Sequence, residues 1–368
     1  MPKYKLFCQK KQYLALIFFF LQNKIQAGNS HTISNYIMAQ DYQELIAKIG
    51  DLLTQSRTQA AASINSLLVQ TYWSIGKHII EFEQKGQEKA AYGTKIFDQL
   101  SKDLSKNHGK GFGRSNLVYI RKLYLKYPIG GTLSHQLNWS IYYELLKIED
   151  ELERSFYEKQ CIIDKWSVRE LKRQKETALF HRLALSKDKE GVMNLAKGGL
   201  IVEKPEDMIR EPYILDFLKI PENYLYTESE LEKKLISHLQ TFLLELGKGF
   251  AFVGRQYRIT LDNTHFFVDL VFYHIKLKCY VLIDLKRGKA DHADIGQMNM
   301  YLNYFIKEMN EENDSPPVGI ILAAEKENVM IEYAMGNMLN QLFVSKYQLH
   351  LPDKKLLEAQ LRTLLTET

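Results

Sequence analysis

The segment from His265 to Lys289, HFFVDLVFYHIKLKCYVLIDLKRGK, decides the fold of the C-terminal half of the chain. Its two runs rich in Val, Ile, Phe and Tyr predict neighbouring β-strands joined by a polar turn at Lys276 to Lys278. The first run contains Asp269, and the second contains Asp284 and Lys286. Burying such charges costs several kcal/mol unless they are paired or bind an ion. The hairpin therefore holds either a structural charge cluster or a metal site.

The spacing of the charged residues predicts that they meet. Side chains at positions i and i+2 of a strand project from one face, so Asp284 and Lys286 should lie about 6–7 Å apart. The hairpin should bring Asp269 alongside them. Two carboxylates can hold Mg²⁺, and a nearby lysine can orient or deprotonate water and offset phosphate charge. This combination is what hydrolysis of a phosphodiester requires.

The elements around the hairpin predict a mixed sheet. Residues 228–247 (ESELEKKLISHLQTFLLELG) have the pattern of one amphipathic helix, and residues 250–259 (FAFVGRQYRI) that of a strand. After the hairpin come a helix at 291–309, a buried strand at 316–325 and a short element at 329–335. The order α-β-β-β-α-β ends in a strand-helix-strand unit, which gives a parallel pair of strands.

Two helical residues are further candidates for the site. Glu232 lies at the edge of the apolar stripe of the preceding helix, where it could reach the sheet and bind the metal. In the following helix, Gln297 and Tyr301 share one face at i,i+4 spacing and could line the cleft.

The N-terminal half has helical periodicity and basic segments. Helices are predicted from Asp41 to about Leu125, with a glycine-rich break at 107–116 before a basic helix, as in a helix-turn-helix DNA-binding protein. A second basic helix is predicted from Trp166 to Arg182, with Ser167 as its N-cap. These charges either contact nucleic-acid phosphates or only solvate outer faces. The candidate nucleic-acid-binding residues are Lys110, Arg114, Asn116, Arg121, Lys122, Arg169, Lys172 and Arg173.

The N-terminus and the cysteines bear on cellular location. Lysines precede an apolar run at 13–21, which is too short to span a bilayer and resembles a signal peptide. We expect instead that Met38 is the natural start and that 1–37 is a non-native or unstructured extension; secretion is the alternative. The three cysteines form no pairing motif, which favours reduced thiols in the cytoplasm.

Several long phrases resemble the bacterial YhcG-like family of the PD-(D/E)xK nuclease superfamily. They include VDLVFYHIKLKCYVLIDLK and DIGQMNMYLNYF in the C-terminal half and TYWSIGKHIIEFEQKG in the N-terminal half. The resemblance implies that Asp269 is the first acidic residue of the motif, Asp284 the second and Lys286 the motif lysine. Gln297 matches a glutamine placed beside the site, whereas Val268 stands where the motif has proline.

The residues and the resemblance together predict a cofactor and roles. Mg²⁺, with Mn²⁺ as a substitute, would be held by Asp269, Asp284, the Leu285 carbonyl and Glu232. Lys286 would position the attacking water, and Gln297 would assist. The expected partner is nucleic acid, with DNA preferred to RNA, and no membrane is expected. A homodimer would be compatible with this function, because two strand breaks need two sites, but no sequence feature shows one.

The sequence thus predicts an α+β protein of two domains. The N-terminal domain is all-helical and helix-turn-helix-like, and the C-terminal domain is an α-β-β-β-α-β restriction-endonuclease-like core with a mixed sheet. The predicted function is metal-dependent cleavage of DNA; the alternatives are an RNA-directed nuclease and a non-catalytic DNA-binding or accessory protein with an inactive core. The predicted ranges are the extension at 1–37, a helical nucleic-acid-binding domain at 42–183, a linker with one short helix at 184–226, the nuclease domain at 227–350 and a tail helix at 351–368.

Overall fold

The computed structural model describes residues 30–85, 95–130, 133–221, 224–325, 331 and 341–366, with side chains from residue 42 onward. Residues 1–29 of the predicted extension lie outside the described residues, and so does the short element predicted at 329–335, apart from Ile331. In the part of the chain that is described, no helix has the length and apolarity needed to cross a bilayer.

The chain divides into two compact units, residues 1–68 and 69–368. Helix α1 (Ser30–Lys85) begins in the first unit and includes residues 30–37 of the predicted extension. In the described part of the first unit, its large apolar side chains are exposed, among them Leu45, Leu52 and Ile64.

The helical half of the second unit contains the end of α1 and six further helices up to residue 185. Three fully buried side chains of α3, Leu117, Ile120 and Leu123, lie at the centre of its apolar core. The helices after α1 are α2 (Lys95–His108), α3 (Arg114–Lys126), α4 (Trp139–Leu145), α5 (Glu151–Asp164), α6 (Val168–Glu176) and α7 (Leu179–Leu185).

The predicted basic helix from Trp166 to Arg182 is in fact two helices, α6 and α7. The predicted N-cap is present, since the Ser167 side chain accepts the Glu170 N–H. The break comes at Ala178, whose φ of 51° belongs to the left-handed region and cannot continue a right-handed helix.

The predicted linker contains more structure than one short helix. It forms α8 (Lys189–Gly198), α9 (Pro205–Met208), strand β1 (Tyr213–Ile214) and a 3₁₀ turn (Asp216–Leu218). The helix predicted near 212–218 is therefore wrong in its first part, because Tyr213 pairs with Tyr347 in a parallel ladder.

The sheet has six strands in the order β1-β6-β5-β4-β3-β2. Strands β2, β3 and β4 pair antiparallel, whereas β4, β5, β6 and β1 pair parallel, so the predicted mixed sheet is confirmed. The strands are β2 (Phe250–Leu261), β3 (Thr264–His274), β4 (Cys279–Lys289), β5 (Val318–Glu325) and β6 (Gln341–Gln348).

Helices cover both faces of this sheet. Helices α10 (Glu228–Ser237) and α11 (Leu239–Leu246) pack their apolar residues on one face, and α12 (His292–Tyr304), followed by a π-helical turn (Phe305–Met309), packs on the other. The single helix predicted over 228–247 is broken at His238, which has non-helical φ and ψ of −117° and 27°.

The C-terminal helix α13 (Lys354–Thr366) lies within the range predicted for a tail helix, but it is not a separate tail. It contacts α7, and its buried Leu361 belongs to the core of the helical half. The chain therefore returns to the helical half after completing the sheet.

A buried ion cluster joins the helical half to the elements around the sheet. Glu245 on α11 is fully buried, and its oxygens lie 3.0 Å from Arg182, 3.5 Å from Arg210 and 3.7 Å from Arg173. It also accepts the Ile214 N–H at 2.9 Å. Burial raises the pKa of Glu245, but the charges of Arg182 and Arg210 outweigh that effect and hold the pKa below its usual value.

We predict that Glu245→Ala strongly destabilises the protein. It leaves Arg182 and Arg210 buried without their counter-ion, which should lower the free energy of unfolding by about 3–5 kcal/mol. Urea unfolding followed by circular dichroism measures this change. The exposed Glu312 offers a control, because Glu312→Ala should change stability by no more than about 0.5 kcal/mol. Equal stability of both variants would contradict the assignment.

Candidate active site

The site begins where two neighbouring strands separate. Strands β3 and β4, both described in full, pair from His274 and Cys279 as far as Leu270 and Ile283, and then diverge. Beyond that point the Asp269 carboxylate replaces the backbone of β3 as a hydrogen-bond partner of β4, because its Oδ2 accepts the Leu285 N–H at 2.8 Å. Because the N–H and C=O of one strand residue point toward the same neighbour, the Leu285 carbonyl also faces the gap.

A third carboxylate reaches the gap from α10. Glu232 is 7% exposed, and Gln256 on β2 links it to Asp269. The Gln256 Nε2 donates to Glu232 Oε2 at 2.8 Å and to Asp269 Oδ1 at 2.9 Å. The structure therefore brings the helical candidate Glu232 beside the hairpin, as the sequence predicts.

The second acidic residue and the lysine form an ion pair. Asp284 is 6% exposed, and its Oδ2 lies 2.9 Å from the Lys286 Nζ. The same ammonium lies 3.0 Å from Asp294 Oδ1 on α12. Burial lowers the pKa of Lys286, but the charges of Asp284 and Asp294 more than offset this and raise the pKa above its usual value. Lys286 is thus held in its charged form.

The acidic side chains repel one another. Burial, followed by the charge of Asp269, raises the pKa of Asp284 to about 7, although Lys286 opposes the shift. Burial also raises the pKa of Asp269, and the charge of Glu232 adds to it against the hydrogen bonds from Leu285 and Gln256. The cluster has more negative charge than its lysine neutralises.

This donor set fits a hard divalent cation. Glu232, Asp269 and Asp284 offer carboxylate oxygens and Leu285 a carbonyl oxygen, which are the ligands that Mg²⁺ prefers. Burial first, and then the charge of a neighbouring carboxylate, disfavours the ionised forms of Asp269 and Asp284 and raises their pKa values. A bound cation would favour the ionised forms.

The candidate residues of α12 lie at the same site. The Gln297 Nε2 donates to the Tyr301 hydroxyl at 2.6 Å, and this hydroxyl donates to the Phe267 carbonyl of β3 at 3.1 Å. Burial and then the charge of Asp284 raise the pKa of Tyr301 to about 12. Gln297 is therefore fixed near the carboxylates through Tyr301.

The gap opens into a cleft of about 510 Å³. Its walls come from α10 and from strands β2 and β3, and they carry cations as well as carboxylates. The lining residues are Glu228, Ser229, Glu232, Lys233, Arg255, Gln256 and Asp269.

Two polar residues of the site were not predicted. Gln256 has a φ of 45°, and nothing in the surrounding strand sequence indicates that its side chain bridges two carboxylates. Asp294 does have a sequence signal, because Asp291 and Asp294 have the spacing of a capping box at the start of α12. That signal predicts a helix start, and a second partner for Lys286 follows only from the fold.

The predicted nucleic-acid-binding residues differ in their availability. Lys110, Arg114, Arg169 and Lys172 are exposed, whereas the other four are partly buried. Arg114, Arg121 and Lys122 pair with Asp98, Glu83 and Glu149 at 2.9, 2.7 and 2.5 Å.

Two of the eight have internal roles. The Asn116 side chain donates to the Gly111 carbonyl and accepts the Trp139 indole N–H. Arg173 pairs with Glu170 and with the buried Glu245. A nucleic-acid role for these eight residues stays a prediction. Exposure favours this role for Lys110, Arg114, Arg169 and Lys172 over the other four.

Lysines also gather around one nearly buried carboxylate. Lys147, Lys172 and Lys175 lie 2.7, 3.5 and 3.4 Å from Glu144. One carboxylate cannot neutralise three ammonium groups. This cluster of one carboxylate and three ammonium groups therefore carries a net positive charge.

We predict that Asp284 makes the stability of the metal-free protein fall as pH rises. The unfolded chain ionises this carboxyl above about pH 4, whereas the folded protein holds the proton until about pH 7. Between pH 5 and pH 8, this difference in protonation should lower the free energy of unfolding by on the order of 2 kcal/mol. Asp284→Asn stays neutral and should lose less stability over that range.

Urea unfolding in EDTA at pH 5 and pH 8 tests this prediction. Asp262→Asn, at an exposed carboxylate, serves as the control and should follow the wild type. An Asp284→Asn profile that is parallel to the wild-type profile would contradict it.

Two family models match this chain. The DUF1016 N-terminal domain matches residues 48–182, and the YhcG PDDEXK nuclease domain matches residues 206–362. A curated protein of Escherichia coli (strain K12), "Putative nuclease YhcG", is 38% identical over 352 residues, which cover 87% of this chain and 93% of that protein.

Solved structures of two endonucleases match part of this chain. A repair endonuclease from Pyrococcus abyssi is 22% identical with a TM-score of 0.25, over 36% of this chain and 50% of that one. The EndoMS–dsDNA2 complex is 20% identical with a TM-score of 0.24, over 37% and 50%. The chain thus spans about half the length of these structures. By its family models and its identity to the Escherichia coli protein, the chain belongs to the YhcG-like family of PD-(D/E)xK nucleases.

Proposed function

We propose that this protein is a Mg²⁺-dependent DNA endonuclease, with Mn²⁺ able to replace Mg²⁺. The observation that carries the proposal is the convergence of Glu232, Asp269 and Asp284 with Lys286 where β3 and β4 separate. Burial and then a neighbouring carboxylate raise the pKa values of both aspartates. Buried, converging carboxylates with raised pKa values support a cation-binding role.

Asp269, Asp284, Glu232 and the Leu285 carbonyl would hold the metal. When bound, Mg²⁺ supplies a Lewis acid that polarises the phosphate and lowers the pKa of a coordinated water. In the hydrolysis, the water oxygen forms a bond to phosphorus, and the bond to the leaving oxygen breaks to give a phosphomonoester and a hydroxyl.

Lys286 would act as a fixed cation. Its ion pairs with Asp284 and Asp294 keep the ammonium protonated, so it can donate to the attacking water or to a phosphate oxygen. A group whose pKa is raised is a poor base near neutral pH. The geometry therefore favours positioning of the water over its deprotonation.

Gln256 and Gln297 would orient the site. Gln256 donates to two of the carboxylates and leaves their other lone pairs for a cation. Gln297 is held in place by its hydrogen bond to the Tyr301 hydroxyl.

The helical half would bind the DNA backbone. Helices α2 and α3, joined by a turn that contains Gly109 and Gly111 in left-handed conformations, support a helix-turn-helix role. The exposed cations and the lysines around Glu144 support phosphate contacts, which give affinity without sequence specificity.

Location and assembly are part of the proposal. Cys161 and Cys279 are buried free thiols, which supports the cytoplasm as the compartment. A homodimer would place two active sites on one duplex, as a double-strand break requires.

We predict that cleavage depends on the site residues. Supercoiled plasmid, branched DNA and single-stranded RNA are incubated with the protein in Mg²⁺, Mn²⁺ or EDTA. Asp284→Ala and Lys286→Ala should each lower the rate by at least about 100-fold, because the first removes a ligand of the metal and the second removes a cation that stabilises the transition state. EDTA should abolish cleavage.

The matched control is Asp262→Ala, at an exposed carboxylate of the β2–β3 turn, which should cleave as the wild type does. Equal rates in all variants would assign the activity to a contaminant and remove the proposed site. Cleavage of RNA alone would replace DNA as substrate. Tight DNA binding without cleavage in any metal would favour an accessory DNA-binding protein.

We predict a separate effect of the exposed cations on binding. Replacing Arg169 and Lys172 together by alanine should weaken DNA binding equally for unrelated sequences. The slope of log K against log salt should fall by about one for each phosphate that the variant no longer neutralises. Fluorescence anisotropy across a salt series measures this slope. The control variant Lys307→Ala, at an exposed lysine outside these helices, should have the slope of the wild type. A wild-type slope in the Arg169/Lys172 double variant would contradict the prediction.

A further inference from the structure

A second group of metal-ligating side chains lies in the helical half, where α5, α7 and α13 meet. Glu153, His181 and Glu358 each present one donor atom, and these three atoms lie within 4.8 Å of one another. Glu153 and His181 are each 3% exposed, and Glu358 is partly buried. None of these residues belongs to the site between β3 and β4.

The histidine of this group has an unsatisfied nitrogen. The Nδ1 atom of His181 is buried, and among the described residues it has no hydrogen-bond partner. An orphaned buried polar atom reduces stability, and an ion that would satisfy it is one recognised explanation.

A cation already occupies part of this position. The Lys354 Nζ lies 2.8 Å from Glu153 Oε1 and 3.8 Å from Glu358 Oε1. Its side chain is 38% exposed, so the flexible stem can swing the ammonium into solvent. Lys354 balances the carboxylates but leaves the histidine nitrogen unpaired, whereas a metal ion would satisfy all three groups.

We propose that Glu153, His181 and Glu358 bind Zn²⁺ or a similar transition-metal ion that fastens α13 to the helical half. Imidazole with two carboxylates suits Zn²⁺, whereas Mg²⁺ and Ca²⁺ prefer oxygen donors alone. Tetrahedral zinc with bonds of about 2.0–2.2 Å places its ligand atoms about 3.4 Å apart. The donor atoms, which lie within 4.8 Å of one another, would therefore approach one another by up to about 1.4 Å as the ammonium leaves.

The consequence is a link between the end of the chain and its helical half. Helix α13 follows the last strand of the sheet, and its core contribution is the buried Leu361. Its ligand Glu358 lies one helical turn before that residue. A metal at this position would hold α13 against α5 and α7 in addition to the apolar contacts.

Calorimetric titration with Zn²⁺ tests the proposal on the full-length Asp269→Asn/Asp284→Asn protein, in which the oxygen site is impaired. We expect one equivalent of Zn²⁺ to bind and Mg²⁺ not to compete. Adding Glu358→Gln should weaken this binding at least about 10-fold, because a neutral amide is a poor zinc ligand. Adding Lys354→Gln instead should strengthen it, since the competing ammonium is gone.

Hydrogen exchange gives an independent measurement. Zn²⁺ should slow the exchange of amides in Lys354–Thr366 in the parent protein but not after Glu358→Gln, whose helical content is checked by circular dichroism. Zinc binding that is unchanged by Glu358→Gln would mean adventitious sites at surface histidines and would overturn the proposal. Absence of stoichiometric binding in the Lys354→Gln protein would overturn it as well.

Discussion

The separation of β3 from β4 is the constraint on which the site depends. The parallel ladder between β4 and β5 continues past Ile283, so the outer edge of β4 has backbone groups without a strand neighbour. A carboxylate supplies one missing partner, because Asp269 accepts the Leu285 N–H. This hydrogen bond fixes Asp269 beside Asp284 and leaves open the space that a cation and a phosphate would need. Continued pairing would instead have filled that space with backbone.

The same arrangement reduces stability. Glu232, Asp269 and Asp284 face one another, and the nearest ammonium, Lys286, is shared with Asp294. Hydrophobic packing on both faces of the sheet compensates, since the strands carrying the carboxylates are otherwise flanked by fully buried apolar residues. Sites built for function commonly reduce the stability of the fold that holds them. Here the reduction comes first from the burial of Asp269 and Asp284 and then from the charge of the neighbouring carboxylates.

The hairpin could be predicted because its signals are local. Runs rich in Val, Ile, Phe and Tyr predict the strands, and the spacing of Asp284 and Lys286 places them on one face. Other features depend on contacts between distant parts of the chain. Strand β1 has only two residues and exists because β6 offers a free edge, and Gln256 bridges two carboxylates that come from different elements. The residue pattern within one segment therefore does not predict partners that come from another segment.

Asp294 shows how one such distant partner changes the chemistry of the motif. The Asp284 carboxylate pairs with Lys286 and is also the expected metal ligand. A lysine held by Asp284 alone would lose its partner whenever that carboxylate turned to a cation. Asp294 gives the ammonium a second anchor on α12, outside the oxygen donors. Lys286 can therefore keep both its charge and its position in either situation, which a fixed donor to water or phosphate requires.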